Sequence, residues 1–132
     1  MRILLDSNAY SNLKRGHPRV AEIVRASEQV VLPFVVIGEL LYGFRYGTRL
    51  EENLDELRDF LDNPRVATPS MNLTTADRHA RIATALRAKG RPIPSNDIWI
   101  AAHAMETGTD LISSDQHFEF VDGLAWIQVP AD

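Results

Sequence analysis

Four acidic side chains stand where carboxylates could share one site: Asp6, Glu39, Asp97 and Asp115. Glu39 is the hardest to explain, because it lies within the apolar run VVIGELLYGF and has no Lys or Arg three or four residues away. An ionised carboxylate is very costly to bury alone, so Glu39 must reach water, a cation or a hydrogen-bond donor. The pattern also leaves open a glutamate that reaches solvent at the surface.

The other three acids each have a simple structural explanation. Asp6 could cap the helix that follows it, and the helix dipole favours an acid such as Asp97 in a first helical turn. Asp115 could be a turn residue at the surface. All of these positions are nevertheless strand ends or helix starts, which an α/β architecture gathers along one edge of its sheet.

A cluster of these carboxylates would need a cation. Two charged carboxylates about 4 Å apart repel each other by roughly 1 to 4 kcal/mol at dielectrics between those of water and a protein surface. Oxygen ligands in a partly hydrated site suit Mg²⁺ or Mn²⁺. Such an ion could polarise a phosphate and generate hydroxide for in-line attack on a phosphodiester bond.

Zinc is less favoured than these ions. The four histidines are His17, His79, His103 and His117; no two of them stand four residues apart, and cysteine is absent. Zinc sites on helices use closely spaced histidines, and many zinc sites add thiolates. His117 follows the last acid in the segment DQHF, where packing or helix capping explains it as well as catalysis does.

The elements that would position the acids alternate along the chain. Five short apolar segments are typical of strands: RILL, QVVLP, RVAT, DLISSD and AWIQV. Helical spacing marks PRVAEIVRAS, residues 35–46, EENLDELRDFL and DIWIAAHAMETG. This alternation predicts a mainly parallel sheet with helices on both faces. Ligands of such sheets collect beyond the carboxyl ends of the strands, where Asp6 and Asp115 stand.

Two helix starts carry recognisable capping residues. Thr74 with Asp77 resembles a capping box and predicts a helix that runs to about Lys89. Ser95 and Asn96 are predicted to cap the next helix, which would contain Asp97 in its first turn.

The size and composition of the chain predict one domain spanning residues 1–132. No apolar run approaches the roughly eighteen residues that a membrane span needs, and the apolar start is too brief for a secretory signal. The absence of cysteine fits a reducing cytoplasm. We therefore expect a cytoplasmic protein that does not associate with membranes.

Four segments in order, LLDSN, GELLYGF, PSNDIWIAAHA and LISSDQHF, resemble the PIN-domain ribonucleases, specifically the VapC-type toxins of bacterial and archaeal toxin–antitoxin pairs. The resemblance extends from Ile3 to about Val129. It implies an α/β fold, namely a PIN-like three-layer α/β/α sandwich whose mainly parallel central sheet has four to five strands. The whole chain would then be a single PIN-like nuclease domain.

The resemblance also implies an activity and a site. The protein would be a metal-dependent endoribonuclease in which Asp6, Glu39, Asp97 and Asp115 bind Mg²⁺ or Mn²⁺ and activate water. Asp115 is the least secure of these residues, because family members differ in how they supply the fourth acid. Polar residues beside the acids would orient a carboxylate or a bound water: Ser7, Asn8, Asn96 and Ser113, the last standing where the family often has threonine.

Partners follow from the same resemblance. A cognate antitoxin protein would block the pocket, and the substrate would be RNA, cut to leave a 3′-hydroxyl and a 5′-phosphate. The protein would form a homodimer, to which Leu41, Tyr42, Phe44 and Tyr46 could contribute surface.

The net charge of −4 argues against RNA as a partner, because polyanion binders are usually basic. Basic residues nevertheless stand near the acidic segments and could form a rim that contacts RNA phosphates: Lys14, Arg15, Arg45, Arg49, Arg87, Lys89 and Arg91. Ordinary solvated charges explain each of these clusters equally well.

Two other functions compete with the nuclease. Asp6 could be the nucleophile of a phosphatase or the acceptor of a phospho-acceptor domain. Haloacid-dehalogenase-like phosphatases usually carry a second aspartate two residues later, where this chain has Asn8. The third possibility is a non-catalytic PIN-like module that binds RNA or protein, against which the intact acids weigh.

Overall fold

The computed structural model describes residues 1–131 of the chain. Five strands alternate with helices: β1 Arg2–Leu5, β2 Gln29–Val31, β3 Val66–Ala67, β4 Asp110–Ser113 and β5 Trp126–Gln128. The helices are α1 Ser7–Lys14, α2 Pro18–Ala26, α3 Phe34–Tyr46, α4 Leu50–Asp62, α5 Leu73–Ala88 and α6 Ser95–Thr107, with a 3₁₀ helix at Gln116–Phe120. All five predicted strands are confirmed.

The strands form one parallel sheet in the order β3-β2-β1-β4-β5. β1 lies at the centre, where Ile3 pairs with Val30 of β2 on one side and with Asp110 of β4 on the other. The chain therefore extends the sheet in one direction through β2 and β3 and in the other through β4 and β5. Ligands bind where the strand order reverses in this way, so the ends of β1 and β4 mark the expected crevice.

The central strands are covered on both faces. Ile3, Leu4 and Leu5 of β1 are all fully buried, although successive side chains of a strand point to opposite faces. Leu111 and Ile112 of β4 are fully buried too. A parallel sheet that is buried on both faces needs helices on each of them. This agrees with the predicted three-layer α/β/α sandwich.

Helix α6 runs through the interior and delivers Asp97 from its first turn. Apolar residues around most of its circumference are buried, and it packs mainly against α5. The buried side chains include Ile98, Ile100, Ala101, Ala102 and Ala104. Because the helix is held on nearly every side, its N-terminal end is fixed relative to the sheet.

The capping predictions were wrong in detail. Asn72, rather than Thr74, caps α5: its side chain accepts from the Thr75 backbone, while the Thr75 hydroxyl accepts from the Asn72 backbone. In α6 the N-cap is Pro94, which has no side-chain cap, so Ser95 and Asn96 lie within the first turn. The Asn96 side chain is consequently available for a contact elsewhere.

The described residues include no helix with the length and hydrophobicity that crossing a membrane requires.

Candidate active site

Asp6 lies at the carboxyl end of β1 and caps α1. Its Oδ1 accepts from the backbone N–H of Ala9 at 2.8 Å, and its Oδ2 accepts from the hydroxyl of Ser113. Burial raises the pKa of Asp6 to about 6, although these two hydrogen bonds favour the charged form; the charges of Asp115 and Asp97 raise it further. Both explanations of Asp6 therefore apply, since it is a helix cap and also lies among other acids.

Ser113 connects the ends of the two central strands. It is the last residue of β4 and is fully buried. Its hydroxyl donates to Asp6 and accepts from the backbone N–H of Asp115 at 2.9 Å. The Asp115 carboxylate in turn caps the 3₁₀ helix by accepting from the backbone N–H of His117 at 2.9 Å. One hydroxyl thus fixes the positions of two acids.

Asp97 and Asp115 meet through His117. Nδ1 of His117 lies 2.7 Å from Oδ2 of Asp97 and 3.2 Å from Oδ1 of Asp115. One ligand atom from each of these residues lies within 4.8 Å of the others, and this is the one such group of three found among residues 1–131. Burial raises the pKa of Asp97, while the hydrogen bond to Asp97 raises the pKa of His117.

Glu39 reaches the same region from α3. Its Oε2 accepts from the Asn96 amide at 3.4 Å, and its Oε1 is buried without a hydrogen-bond partner among the described residues. Burial raises the pKa of Glu39, and the charges of Asp97 and Asp115 raise it further. The Ser7 hydroxyl also favours the charged form of Glu39, while Oε1 has no hydrogen-bond partner among residues 1–131.

The fold therefore brings the four predicted acids into one electrostatically coupled pocket. Within residues 1–131, no Lys or Arg forms a salt bridge with any of them, and His117 is the one basic side chain that does. The donors are oxygens of carboxylates, and one of them, Oε1 of Glu39, is buried without a partner. This donor set fits a hard divalent cation such as Mg²⁺ or Mn²⁺.

The predicted supporting residues differ in how closely they contact the acids. Ser113 bonds to Asp6, and Asn96 bonds to Glu39. Ser7 approaches Glu39 without a good hydrogen bond. Asn8 is exposed and, in the described part of the chain, has no hydrogen bond to the acids. Of these four residues, only Ser113 and Asn96 have contacts that orient a carboxylate.

A cleft of about 460 Å³ leads from Glu39 between α1, α3 and α4. Three of the basic residues line it: Lys14, Arg15 and Arg49. The Lys14 ammonium lies 5.1 Å from the centre of the Phe60 ring and 5.6 Å from that of Tyr10. These rings contact the Lys14 ammonium by cation–π interactions, and the Lys14 side chain stays exposed at the cleft.

The remaining basic residues are placed differently. Lys89 donates to the Asp122 carboxylate at 2.7 Å and to the Phe120 carbonyl at 2.8 Å, so its charge already has a partner. The Arg91 guanidinium lies over the Phe120 ring at 4.4 Å. Arg45 and Arg87 are exposed near the last turns of α3 and α5.

His117 is the site residue that sequence analysis failed to select. Its position two residues after Asp115 indicates a capped turn. The backbone N–H of His117 does donate to the Asp115 carboxylate in this way. Its contact with Asp97, twenty residues earlier in the chain, depends on the packing of the 3₁₀ helix beside the start of α6.

Comparison with known proteins identifies the family. The model of the PIN domain matches residues 3–124, which include all four acids. The chain belongs to the PIN domain family. This confirms the resemblance read from its four ordered segments, and it agrees with a parallel sheet whose strand ends gather the acids.

Several known proteins align with nearly the whole chain. Ribonuclease VapC1 of Haemophilus influenzae (strain R2866) is 27% identical over 131 residues, which cover 96% of each protein. A chain in the 2.2 Å structure of VapBC-1 from nontypeable Haemophilus influenzae has a TM-score of 0.84 and 27% identity, with 97% of this chain and 98% of that chain covered. A chain of DNA-bound VapBC from Salmonella typhimurium has the same TM-score and coverage at 22% identity, which supports the fold alone.

Proposed function

We propose that this PIN-domain protein is the ribonuclease toxin of a VapBC toxin–antitoxin pair, and that it hydrolyses RNA phosphodiester bonds with a divalent cation. The convergence of four carboxylates, with no salt bridge from Lys or Arg among residues 1–131, carries the proposal. The relatives named ribonuclease VapC support the same reaction class. Residues 1–132 would act as one nuclease domain.

The acids would hold the cation and assist the nucleophile. When bound by Asp6, Glu39, Asp97 and Asp115, Mg²⁺ or Mn²⁺ supplies polarisation of a phosphoryl oxygen and lowers the pKa of water. Oε1 of Glu39 is buried without a partner in the described structure, so it can accept a hydrogen bond from the attacking water and take its proton. Burial raises the pKa of Glu39, which makes its carboxylate a stronger base.

Two polar side chains would keep these carboxylates in place. Ser113 donates to Oδ2 of Asp6, which leaves the remaining lone pairs of that carboxylate for the cation. Asn96 donates to Oε2 of Glu39, which fixes the direction of the unpartnered Oε1. Partners of metal ligands orient them in this way and typically change affinity or activity by about 10- to 100-fold when removed.

The cleft beside Glu39 offers a path for the RNA backbone. Lys14, Arg15 and Arg49 line it and can contact phosphates, which would offset the unfavourable net charge locally. Arg45, Arg87 and Arg91 would extend the contact surface, whereas Lys89 would first have to leave Asp122 and Arg49 would first have to leave Glu52. Hydrolysis in the sense of the resemblance yields a 3′-hydroxyl and a 5′-phosphate.

Two protein partners belong to the proposal. The VapBC relatives support a cognate antitoxin protein, which would block the acidic pocket. A homodimer would use exposed aromatic residues of α3, of which Tyr42 and Tyr46 are 74% and 86% exposed. Leu41 and Phe44 pack partly against the core and would contribute less than we expected.

RNA cleavage by purified protein tests the reaction directly. Structured and single-stranded RNAs are incubated with Mg²⁺, with Mn²⁺ or with chelator, and wild type is compared with Asp6→Asn and Asp97→Asn. We expect cleavage that needs the cation and both acids. Asp62→Asn provides the matched control, since Asp62 is an exposed acid at the end of α4.

Cleavage that persists in chelator, or that equals wild type in folded Asp97→Asn, would overturn the proposal. RNA binding without cleavage under either metal would favour the non-catalytic module instead. Circular dichroism and melting curves establish that each variant is folded before its activity is compared.

A further inference from the structure

His117 contacts Asp97 and Asp115 but is not among the proposed ligands. Its Nδ1 is 2.7 Å from Oδ2 of Asp97 and 3.2 Å from Oδ1 of Asp115. Ionised carboxylates only accept hydrogen bonds, so the proton must be on Nδ1 and point toward these oxygens. While Nδ1 carries this proton, it cannot coordinate a cation between the same two acids.

We propose that His117 is a positioning residue that holds Asp97 and Asp115 together through Nδ1–H and releases at least one of them when the cation binds. The inference rests on the proposed function, because it assumes that these acids bind the cation. It requires no change in ring charge, since Nδ1–H is a donor in the imidazolium and in one neutral tautomer.

The distances support competition for these oxygens. A cation held by Asp97 and Asp115 would need carboxylate oxygens that Nδ1–H now approaches, and Mg²⁺ also keeps several waters around it. The nitrogen is already within hydrogen-bond distance of Asp97 and close to Asp115. The ring and a hydrated ion therefore compete for the lone pairs that face Nδ1 on Oδ2 of Asp97 and Oδ1 of Asp115.

The ring is also half exposed to solvent. The His117 side chain is 48% exposed, and within residues 1–131 the ring has polar contacts only with the two acids. Its backbone N–H separately donates to Oδ1 of Asp115 at 2.9 Å. Rotation of the side chain would release Asp97 while this backbone bond kept the Asp115 carboxylate at the start of the 3₁₀ helix.

Cation affinity of the full-length protein tests the competition. Binding of Mg²⁺ and Mn²⁺ is measured by calorimetry for wild type, His117→Ala and His117→Asn. We expect the Mg²⁺ Kd of His117→Ala to fall about fivefold, because the ion no longer displaces a hydrogen bond. His117→Asn keeps an N–H donor at the same branch of the side chain, so its Kd should return toward the wild-type value.

A control and a spectroscopic readout separate this role from a structural one. Gln116→Ala changes the exposed neighbour on the same 3₁₀ helix and should leave the Kd unchanged. With Mn²⁺ bound to wild type, electron spin-echo modulation should show no directly coordinated ¹⁴N. A ¹⁴N coupling that disappears in His117→Ala would overturn the inference, because it would make His117 a ligand.

The outcomes distinguish this inference from the proposed function. An unchanged or weaker Mg²⁺ Kd in His117→Ala overturns the competition but leaves the nuclease proposal intact, provided that Asp97→Asn loses the ion. If wild type and Asp97→Asn are equally unable to bind Mg²⁺ or Mn²⁺, both proposals fail. A tighter Kd in His117→Ala, with recovery in His117→Asn, supports the positioning role.

Discussion

The two ends of α6 satisfy their polar groups in different ways. At the N-terminal end, Asp97 lies among other acids, and its one ion-pair partner in the described residues is His117. At the C-terminal end, the Thr75 hydroxyl donates to Glu106 at 2.6 Å, and the Thr107 hydroxyl donates to the carbonyl of His103 at 2.7 Å. The C-terminal contacts stabilise the fold, whereas the N-terminal end retains charge that favours a cation.

The comparison places the contacts that stabilise the fold at one end of α6 and the groups that could bind a cation at the other. Unpaired carboxylates near one another are unfavourable in the free protein, so they persist only where a ligand offsets their charge. The same helix can tolerate this at its start because its other end and its length are packed into the core. Substitutions at one end of α6 should therefore leave the contribution of the other end unchanged.

The largest expected contrast is between Asp97→Asn and Glu106→Gln. Asp97→Asn should lower RNA cleavage on the order of a hundredfold or more, as expected when a group that stabilises transition-state charge is lost. It should also raise the melting temperature in chelator, because burial and the charge of Asp115 oppose ionisation of Asp97 and raise its pKa. Glu106→Gln should leave cleavage nearly unchanged. Activity and melting curves on the same preparations measure both effects.

An equal loss of cleavage in Asp97→Asn and Glu106→Gln would mean that a change at the C-terminal end of α6 disturbs the acid pocket. The two ends would then not act independently. A fall in the chelator melting temperature of Asp97→Asn would contradict the claim that its charge is unfavourable in the free protein.

The pH dependence of stability should have opposite signs for Asp6, in the acid pocket, and for His103, in the C-terminal half of α6. Burial raises the pKa of Asp6 from 3.8 to about 6, so the stability it contributes is fully present below pH 3.8 and is lost as pH rises through about 6. Burial lowers the pKa of His103 below 6.5, so that contribution is present above pH 6.5 and is lost as pH falls through the lowered value.

Asp6→Asn isolates the first of these effects. In chelator at pH 7 the variant should be more stable than wild type by at most about 3 kcal/mol, the equivalent of a shift of about two pKa units. At pH 4 the two proteins should have nearly equal free energies of unfolding. Urea titrations at both pH values measure the difference, and a variant less stable than wild type at pH 7 would contradict the assignment.

Thr75→Ala tests the contact between α5 and the C-terminal end of α6. The substitution removes the hydroxyl that donates to Glu106 and that accepts from the Asn72 backbone, so it should lower the free energy of unfolding by about 1–2 kcal/mol. The Mg²⁺ Kd should stay at the wild-type value, because the change lies at the opposite end of α6. Urea unfolding and calorimetry provide the two readouts; a weakened Kd would show that the ends are coupled.

The smallest expected effect concerns the basic residues. Lys14→Ala should weaken the salt dependence of binding to single-stranded RNA, because one phosphate contact is lost. The negative slope of the log association constant against log salt concentration should become smaller in magnitude by about 0.7. Arg2→Ala is the control, since Arg2 donates to the Thr107 carbonyl at the other end of α6. A slope that changes equally in both variants would assign the effect to net charge rather than to the cleft.

Local signals explain which parts of the fold were predicted. The strands RILL and DLISSD are short apolar runs, and α6 is marked by apolar residues at helical spacing, so burial alone defines them. Cap positions were less predictable because Thr74, Asn72 and Ser95 are all good capping residues. The backbone path into each helix decided that Asn72 caps α5 and that Pro94 precedes α6.

The sequence by itself determined the α/β class, the family and the identity of the four acids, because these depend on local periodicity and on motifs in a fixed order. Only the tertiary structure decided that Oε1 of Glu39 is left without a partner, that His117 bridges Asp97 and Asp115, and that Lys89 is paired with Asp122. These contacts join residues far apart in the chain. Their geometry follows from the strand order and from helix packing. Residue types and their spacing within one segment do not determine how distant segments pack together.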